Sequence, residues 1–415
     1  MMTPTVAPAS GASNRLAYLV VIAGVVAGLH VWKLPPSLPV LQAQLGLTLV
    51  ESGFLLSMVQ TAGMFLGLIV GLFAEKIGLR RCVLIGLTLL SIGSFLAPTI
   101  DMRIAVLGFR VMEGVGFLMV TMPAPALIRR LVDTAFLSRI LGVWGGYVPI
   151  ATVIALLGGS LILSLSGWRA LWWILSILTA VVAYIVWRKI PPDPAPEVQK
   201  QSSKPGTPLE KKPSFFALAM ETLSSLNVWF LGLCFAVYSG QWMAIVAFMP
   251  TIYVEAGFSG FMAGAMTTVI AAGNAVGSFS AGRLLHRGWK PHWLNNFAFV
   301  AMGVCAFLAF AFPIPTALQL ALIVLFSATG GLIPATLYYM VMELAPSRRT
   351  LAPTMGWMQQ GMAMGQFSGP PLVAWVATLA GGWSMAWTIP AVCSLIGLAI
   401  STRLGRQFLV RMQGR

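Results

Sequence analysis

The sequence is poor in charge. Of its 415 residues only 9% are Asp, Glu, Lys or Arg, whereas soluble globular chains carry about 25%. So few charges cannot cover a water-facing surface, which excludes the two or three soluble domains that length alone would suggest. Acids are scarcer than bases, 11 against 26, and the net charge is +15. Cysteine is scarce too. Cys82, Cys234, Cys305 and Cys393 lie far apart with no metal-site or disulfide spacing, so they are read as small packing residues and no metal or cofactor is expected. There is no GxxxxGK[ST] loop, which argues against an ATP-driven engine within this chain. Zinc-protease helix motifs and nucleophile elbows are missing as well, so no enzyme is expected. The first fourteen residues have no charged side chain and the first apolar run is long, which argues against a cleaved signal peptide.

What is abundant is apolar sequence, 58% of all residues. A helix needs about 20 mostly apolar residues to cross the hydrocarbon core of a bilayer. Twelve such stretches can be cut from the chain. Six lie near Leu16–Val40, Ser52–Phe73, Cys82–Ile100, Ile104–Ile128, Ile140–Leu163 and Ala170–Trp187. Six more lie near Leu226–Ile252, Gly260–Ala281, Trp293–Phe312, Ala317–Met342, Leu351–Leu379 and Trp383–Ser401. Barrel strands alternate apolar and polar over about ten residues, and these runs do not. Helices satisfy every backbone group inside lipid. The expected fold is an all-α membrane protein of twelve transmembrane helices in two pseudo-symmetric six-helix bundles.

The basic balance reads as topology rather than as a nucleic-acid signal. With the N-terminus in the cytoplasm, 22 of the 26 Lys and Arg fall on the cytoplasmic side. Only Arg103 and Arg169 fall in outer loops, and Lys33 and Arg110 lie inside spans. This bias is the positive-inside rule. It places both termini in the cytoplasm and, for a bacterial chain, the protein in the cytoplasmic (inner) membrane. The lipid bilayer is then its surrounding partner, and no nucleic-acid partner is expected.

The one long polar interruption, residues 188–214, carries seven prolines and reads as a mobile cytoplasmic tether. It divides the chain into residues 1–187 and 215–415, each with six spans. The halves resemble each other. Gly167, Trp168 and Trp172 before and in the sixth span match Gly382, Trp383 and Trp387 at the twelfth with one offset of 215 residues. Parallel repeats of this kind place a substrate site at the seam near the midplane.

Charged or polar side chains inside spans are costly and mark function or helix contact. Arg110 and Glu113, three residues apart, share a helix face. They are a proton- or substrate-handling pair or a structural ion pair, and Glu113 is the first choice for a proton carrier. Lys33, followed by prolines at 35, 36 and 39, either attracts an anionic substrate or snorkels outward. His30 lies one turn before it. Two bases against one acid tilt the first-half site toward an anion. Tyr238, Gln241, Trp242 and Asn274 are candidates for the second-half wall. In the eleventh span Gly361, Gly365 and Gly369 repeat every four residues, a spacing that lets helices approach closely. Gln359 and Gln360 there are either substrate contacts or helix glue. Between the second and third spans GLFAEKIGLRR forms a basic loop whose Gly71, Glu75, Lys76, Gly78, Arg80 and Arg81 read as a conformational latch.

That loop resembles the signature of the major facilitator superfamily, with Glu75 where the family usually has aspartate. FRVMEGVGF around Arg110 is similar to the family's arginine motif of the fourth helix. Phe248–Gly264 and Gly365–Leu372 resemble a narrower bacterial branch that includes cyanate permease and nitroimidazole-type transporters. The resemblance implies secondary transport by alternating access, with uptake of small anions or polar organics, often by proton symport, by a single chain acting as a monomer. The fifth span's loose glycine-proline pattern argues mildly against drug–proton exchange. An exporter, or a non-transporting sensor on the same scaffold, is the alternative.

Overall fold

The computed structural model describes residues 12–67, 77–100, 102–193 and 215–413, and they are helical nearly throughout. Among them, ten stretches are long and apolar enough to cross a membrane. In the first half these are α1 (Arg15–Leu45), α2 (Leu49–Gly67), α3 (Leu79–Thr99), α4 (Ile104–Leu131) and a helix at Tyr147–Lys189. The last breaks at Gly167, whose φ of +75° favours glycine, so it supplies two crossings, α5 (147–166) and α6 (168–189). The second half contributes α7 (Leu226–Glu255), α8 (Gly260–His286), α9 (Pro291–Phe310), α10 (Thr316–Leu344) and α12 (Trp383–Met412). The remaining crossing, α11 (Leu351–Ala380), is a 30-residue helix that falls outside the ten. Its glycines and glutamines lower its hydropathy. Twelve crossings result, in the all-α arrangement that the apolar runs predict.

Local chemistry sets the turns. Thr48 and Glu51 form a reciprocal capping box that starts α2. Ser259 accepts from the Met262 N–H at the start of α8. Prolines loosen α1 and α7 at matching places. The helix of α1 turns at Lys33 just before Pro35 and Pro36, and α7 turns at Ala247–Phe248 just before Pro250. Pro35 and Pro250 are 215 residues apart, the offset that also relates Trp168 to Trp383.

The two bundles pack against each other through α1 and α7, α2 and α11, and α5 and α8. Trp32 and Trp242 pack edge to face, with ring centroids 5.5 Å apart. Gly53 lies so close to α11 that a Cβ there would come within 2.8 Å of the Pro371 Cα. Gly264 of α8 faces the Leu156 carbonyl and Ser160 of α5. Within the second bundle, Gly361, Gly365 and Gly369 of α11 face the carbonyls of Gly232, Ala236 and Gly240 of α7, and a Cβ at any of the three would overlap backbone. The four-residue glycine spacing is thus a close helix seam, as the sequence pattern predicts.

Candidate functional site

Among the described residues, the buried Lys, Arg, Asp and Glu side chains are Lys33, Arg110 and Glu113. They belong to one cluster. Lys33 sits where α1 loosens, and its backbone carbonyl accepts from Ser37 Oγ at 2.6 Å. Its Nζ donates to Glu113 Oε1 at 2.5 Å and to Ser94 Oγ at 2.6 Å, and stands 4.3 Å from the centre of the Trp172 ring. Arg110 Nη1 donates to Glu113 Oε2 at 2.6 Å and to the His30 carbonyl at 2.7 Å. The i,i+3 spacing on α4 lets Arg110 and Glu113 meet. Glu113 fits because α3 carries Gly93 opposite it, where a Cβ would lie 3.2 Å from Glu113 Cγ.

Around Lys33, Arg110 and Glu113 lies a ring of polar groups. Ser94 Oγ is 2.6 Å from Glu113 Oε1 and 2.8 Å from His30 Nδ1. His30 Nε2 is 2.8 Å from Thr179 Oγ1 of α6. Helices α1, α3, α4 and α6 therefore converge on one buried site. Removing charges from water costs several kcal/mol per ion even after relaxation, so the pairing with Glu113 is what makes two buried cations tolerable. The balance is incomplete. Lys33 and Arg110 share a single carboxylate, and Arg110 Nε and Nη2 are buried without an acceptor among the described residues. So is Trp172 Nε1. The site has more donors than acceptors.

The second half carries a neutral counterpart. Trp242 Nε1 donates to Ser327 Oγ at 2.9 Å. Asn274 Nδ2 donates to Tyr238 OH at 3.1 Å and to the Ser327 carbonyl at 3.0 Å. Gln241 Oε1 accepts from Ser394 Oγ at 3.0 Å, while its Nε2 is unpartnered. The structure thus gathers Tyr238, Trp242 and Asn274 into one network and places Gln241 in a separate contact with α12. Gln359 Oε1 is buried without a partner. Gln360 packs against Gly67 of α2, where a Cβ would lie 3.1 Å from its Cγ. Sequence reasoning missed Ser94, Thr179, Trp172, Ser327 and Ser394.

Of the latch residues, Gly71, Glu75 and Lys76 lie outside the described residues. Gly78 has φ +104° just before α3. The Arg80 and Arg81 backbone N–H groups donate to the Asp193 carboxylate at 3.0 and 3.1 Å, and Arg130 Nη1 pairs with it at 2.5 Å. Arg80 Nη2 reaches the Trp187 carbonyl at 2.5 Å. The start of the 188–214 segment is therefore pinned to the first bundle, and the helix before it runs to Lys189 rather than ending at Trp187. Burial pushes the Asp193 carboxyl up, but the Arg80 N–H, Arg130 and the Arg81 N–H outweigh it and hold it below its ordinary value.

Known proteins agree with this architecture. Residues 20–354 match the profile of the Major Facilitator Superfamily. The cyanate transport protein CynX of Escherichia coli (strain K12) is 23% identical over 348 residues, covering 79% of this chain and 80% of CynX. A bacterial homolog of the human lysosomal transporter Spinster, solved in an inward-facing and unoccupied conformation, superposes with a TM-score of 0.81 at 16% identity, covering 97% of this chain and 98% of that one. A D-xylose-proton symporter superposes with a TM-score of 0.71 at 14% identity, covering 94% and 96%. Family profile, relatives and twelve helical crossings together establish that this chain belongs to the Major Facilitator Superfamily and is a multi-pass membrane transporter of a small molecule rather than an enzyme.

Proposed function

We propose that the chain takes up a small anion by alternating access, coupled to protons, across the bacterial cytoplasmic membrane, with both termini in the cytoplasm. The observation that carries this reading is the donor excess of the first-half site. Two buried cations share one carboxylate, and the Nε–Nη2 edge of Arg110 has no acceptor. That edge is a planar fork, which suits a planar oxyanion or carboxylate. Arg110 and Lys33 attract the anion, with His30 in the same wall. Tyr238, Gln241, Trp242, Asn274, Gln359 and Gln360 shape the opposite wall with neutral groups. Glu113 carries the coupling proton: once an anion occupies the two cations, its own charge is no longer needed there. Residues 1–187 and 215–415 act as two rocking units joined by the segment 188–214, and the Gly71–Arg81 loop with Asp193 latches one arrangement. The similarity to CynX makes cyanate the first anion to test.

Uptake of radiolabelled cyanate and of other small anions into proteoliposomes with an imposed proton gradient tests this. Arg110→Ala is expected to abolish uptake while the protein still inserts in the membrane. Normal uptake by that variant would remove Arg110 from the site. Outward-directed transport would indicate an exporter, and binding without transport a sensor.

A further inference from the structure

The contacts around Ser94 fix a count of hydrogens. Thr179 Oγ1 donates to the Leu175 carbonyl at 2.6 Å, which uses its one hydrogen. Its contact with His30 Nε2 then requires the hydrogen on Nε2. Ser94 Oγ stands against both His30 Nδ1 and Glu113 Oε1 and has one hydrogen to give. Lys33 Nζ directs hydrogens to Glu113 and Ser94, and at 3.5 Å from His30 Nδ1 it does not replace the one missing there. Four contacts therefore need four hydrogens: Thr179 to Leu175, Thr179 to His30, His30 to Ser94 and Ser94 to Glu113. Thr179, Ser94 and a neutral imidazole hold three.

We infer that the fourth hydrogen is a bound proton, shared through the Ser94 hydroxyl between His30 Nδ1 and Glu113 Oε1. In one form the imidazolium Nδ1–H donates to Ser94 and Ser94 donates to the carboxylate. In the other the carboxylic acid donates to Ser94 and Ser94 donates to a neutral Nδ1. Two hydrogens each move across one contact, and no heavy atom or total charge changes. The proton acceptor is then the His30–Glu113 pair rather than Glu113 alone, and Ser94 is a positioning residue within it. The charged groups facing the pair are Lys33 from α1 and Arg110 from α4. Helix α3 contributes Ser94, and α6 contributes Thr179 and the Trp172 ring, none of which titrates in the ordinary range.

The proton raises the cluster of Lys33, Arg110, Glu113 and His30 from one net positive charge to two, all of it buried. A monoanion on the free edge of Arg110 returns it to one. Proton binding and anion binding thus favour each other. This link rests on the function proposed above, whereas the hydrogen count does not.

Difference infrared spectroscopy of the purified full-length protein in lipid, titrated with pH and without added anion, tests the count. Glu113→Asp identifies the carboxyl band and His30→Gln the imidazole bands. One proton with a common midpoint for both groups is expected. Ser94→Ala, which adds no bulk, should split the midpoints or move them by about one pH unit, about tenfold in proton affinity. Ser94→Thr keeps the hydroxyl and should keep the common midpoint. The inference is overturned by two separate midpoints in the unmodified protein, by no titration of either group wherever the protein stays folded, or by unchanged midpoints in Ser94→Ala. A second arm adds sodium cyanate in unbuffered solution and reads proton uptake with a pH dye. Uptake supports the link to an anion. A shared proton that ignores cyanate sustains the hydrogen count and removes cyanate from the proposed function.

Discussion

The two bundles are built on related frames but stabilise their buried polar groups differently. In the first, α1 loosens at Lys33 before Pro35, and the lysine pairs with Glu113. In the second, α7 loosens before Pro250, and the position 215 residues after Lys33 is Phe248, fully buried. His30 corresponds in the same way to Ile245. One contact survives the change: Thr179 of α6 bonds to His30 of α1, and Ser394 of α12, again 215 residues on, bonds to Gln241 of α7. The helix pairing is therefore common to both halves, while the ions belong to the first. The second half relies instead on close backbone packing of α7 on α11, which leaves no room for a titrating side chain along the seam.

The largest effect that could break this comparison comes from removing the lone acid. Glu113→Leu leaves Lys33 and Arg110 buried together without a counter-charge, and losing one partner of a buried ion network costs about 3–5 kcal/mol. Gln241→Leu, in the second half, removes a group whose Nε2 is already unpartnered and exposes only one hydroxyl to loss of its bond, a cost of about 1 kcal/mol. Thermal unfolding of the two variants in the same detergent should separate them widely. Equal losses would mean that the ionic cluster contributes no more to the fold than the neutral network.

A smaller effect distinguishes the related hydroxyls. Thr179→Ala removes two buried hydrogen bonds, to the Leu175 carbonyl and from His30, and Ser394→Ala removes the one to Gln241, each worth about 1 kcal/mol. Only Thr179 fixes which nitrogen of His30 carries hydrogen. Thr179→Ala should therefore shift the pH dependence of uptake, while Ser394→Ala should leave its position unchanged. Equal shifts would show that the first half is no more proton-sensitive than the second.

Much of this was legible in the sequence, for identifiable reasons. Apolar runs of spanning length have to be helices, and the break at Gly167 is marked by a glycine before paired tryptophans. Arg110 and Glu113 were readable as a pair because helical spacing alone brings them together. The partner of Lys33 was not readable, because it lies 80 residues away and helix packing chooses it. Ser94 and Thr179 gave no local signal, since serine and threonine in a helix ordinarily bond to the carbonyl one turn back, as Thr179 also does. The matching of Thr179 with Ser394 was available from the repeat and would have pointed to the former. Asp193 was hidden by composition. It stands among prolines that announce a tether, and the significant fact, an acid directly beyond a span that ends beside basic loops, is positional.

The smallest effect concerns that acid and the join between the bundles. Asp193 ties the segment following α6 to the start of α3 and to Arg130 at the end of α4, so it anchors the connection to the first half alone. Its carboxyl is held below its ordinary value, so the anchorage is fully present above that value and is lost as pH falls through the lowered one. A partly exposed ion pair of this kind contributes about 1 kcal/mol or less. Gly78 strengthens the expectation that geometry matters here, because a Cβ at that positive-φ position would overlap the Asp193 carboxylate. Asp193→Asn should make limited proteolysis after α6 a few-fold faster at neutral pH, about the ratio that 1 kcal/mol gives. Acidification should bring the unmodified protein toward the variant's rate, as the carboxylate becomes neutral. If cleavage is equally fast in both at neutral pH, the anchorage does not restrain the connection, and the first half gains nothing from it that the second half lacks.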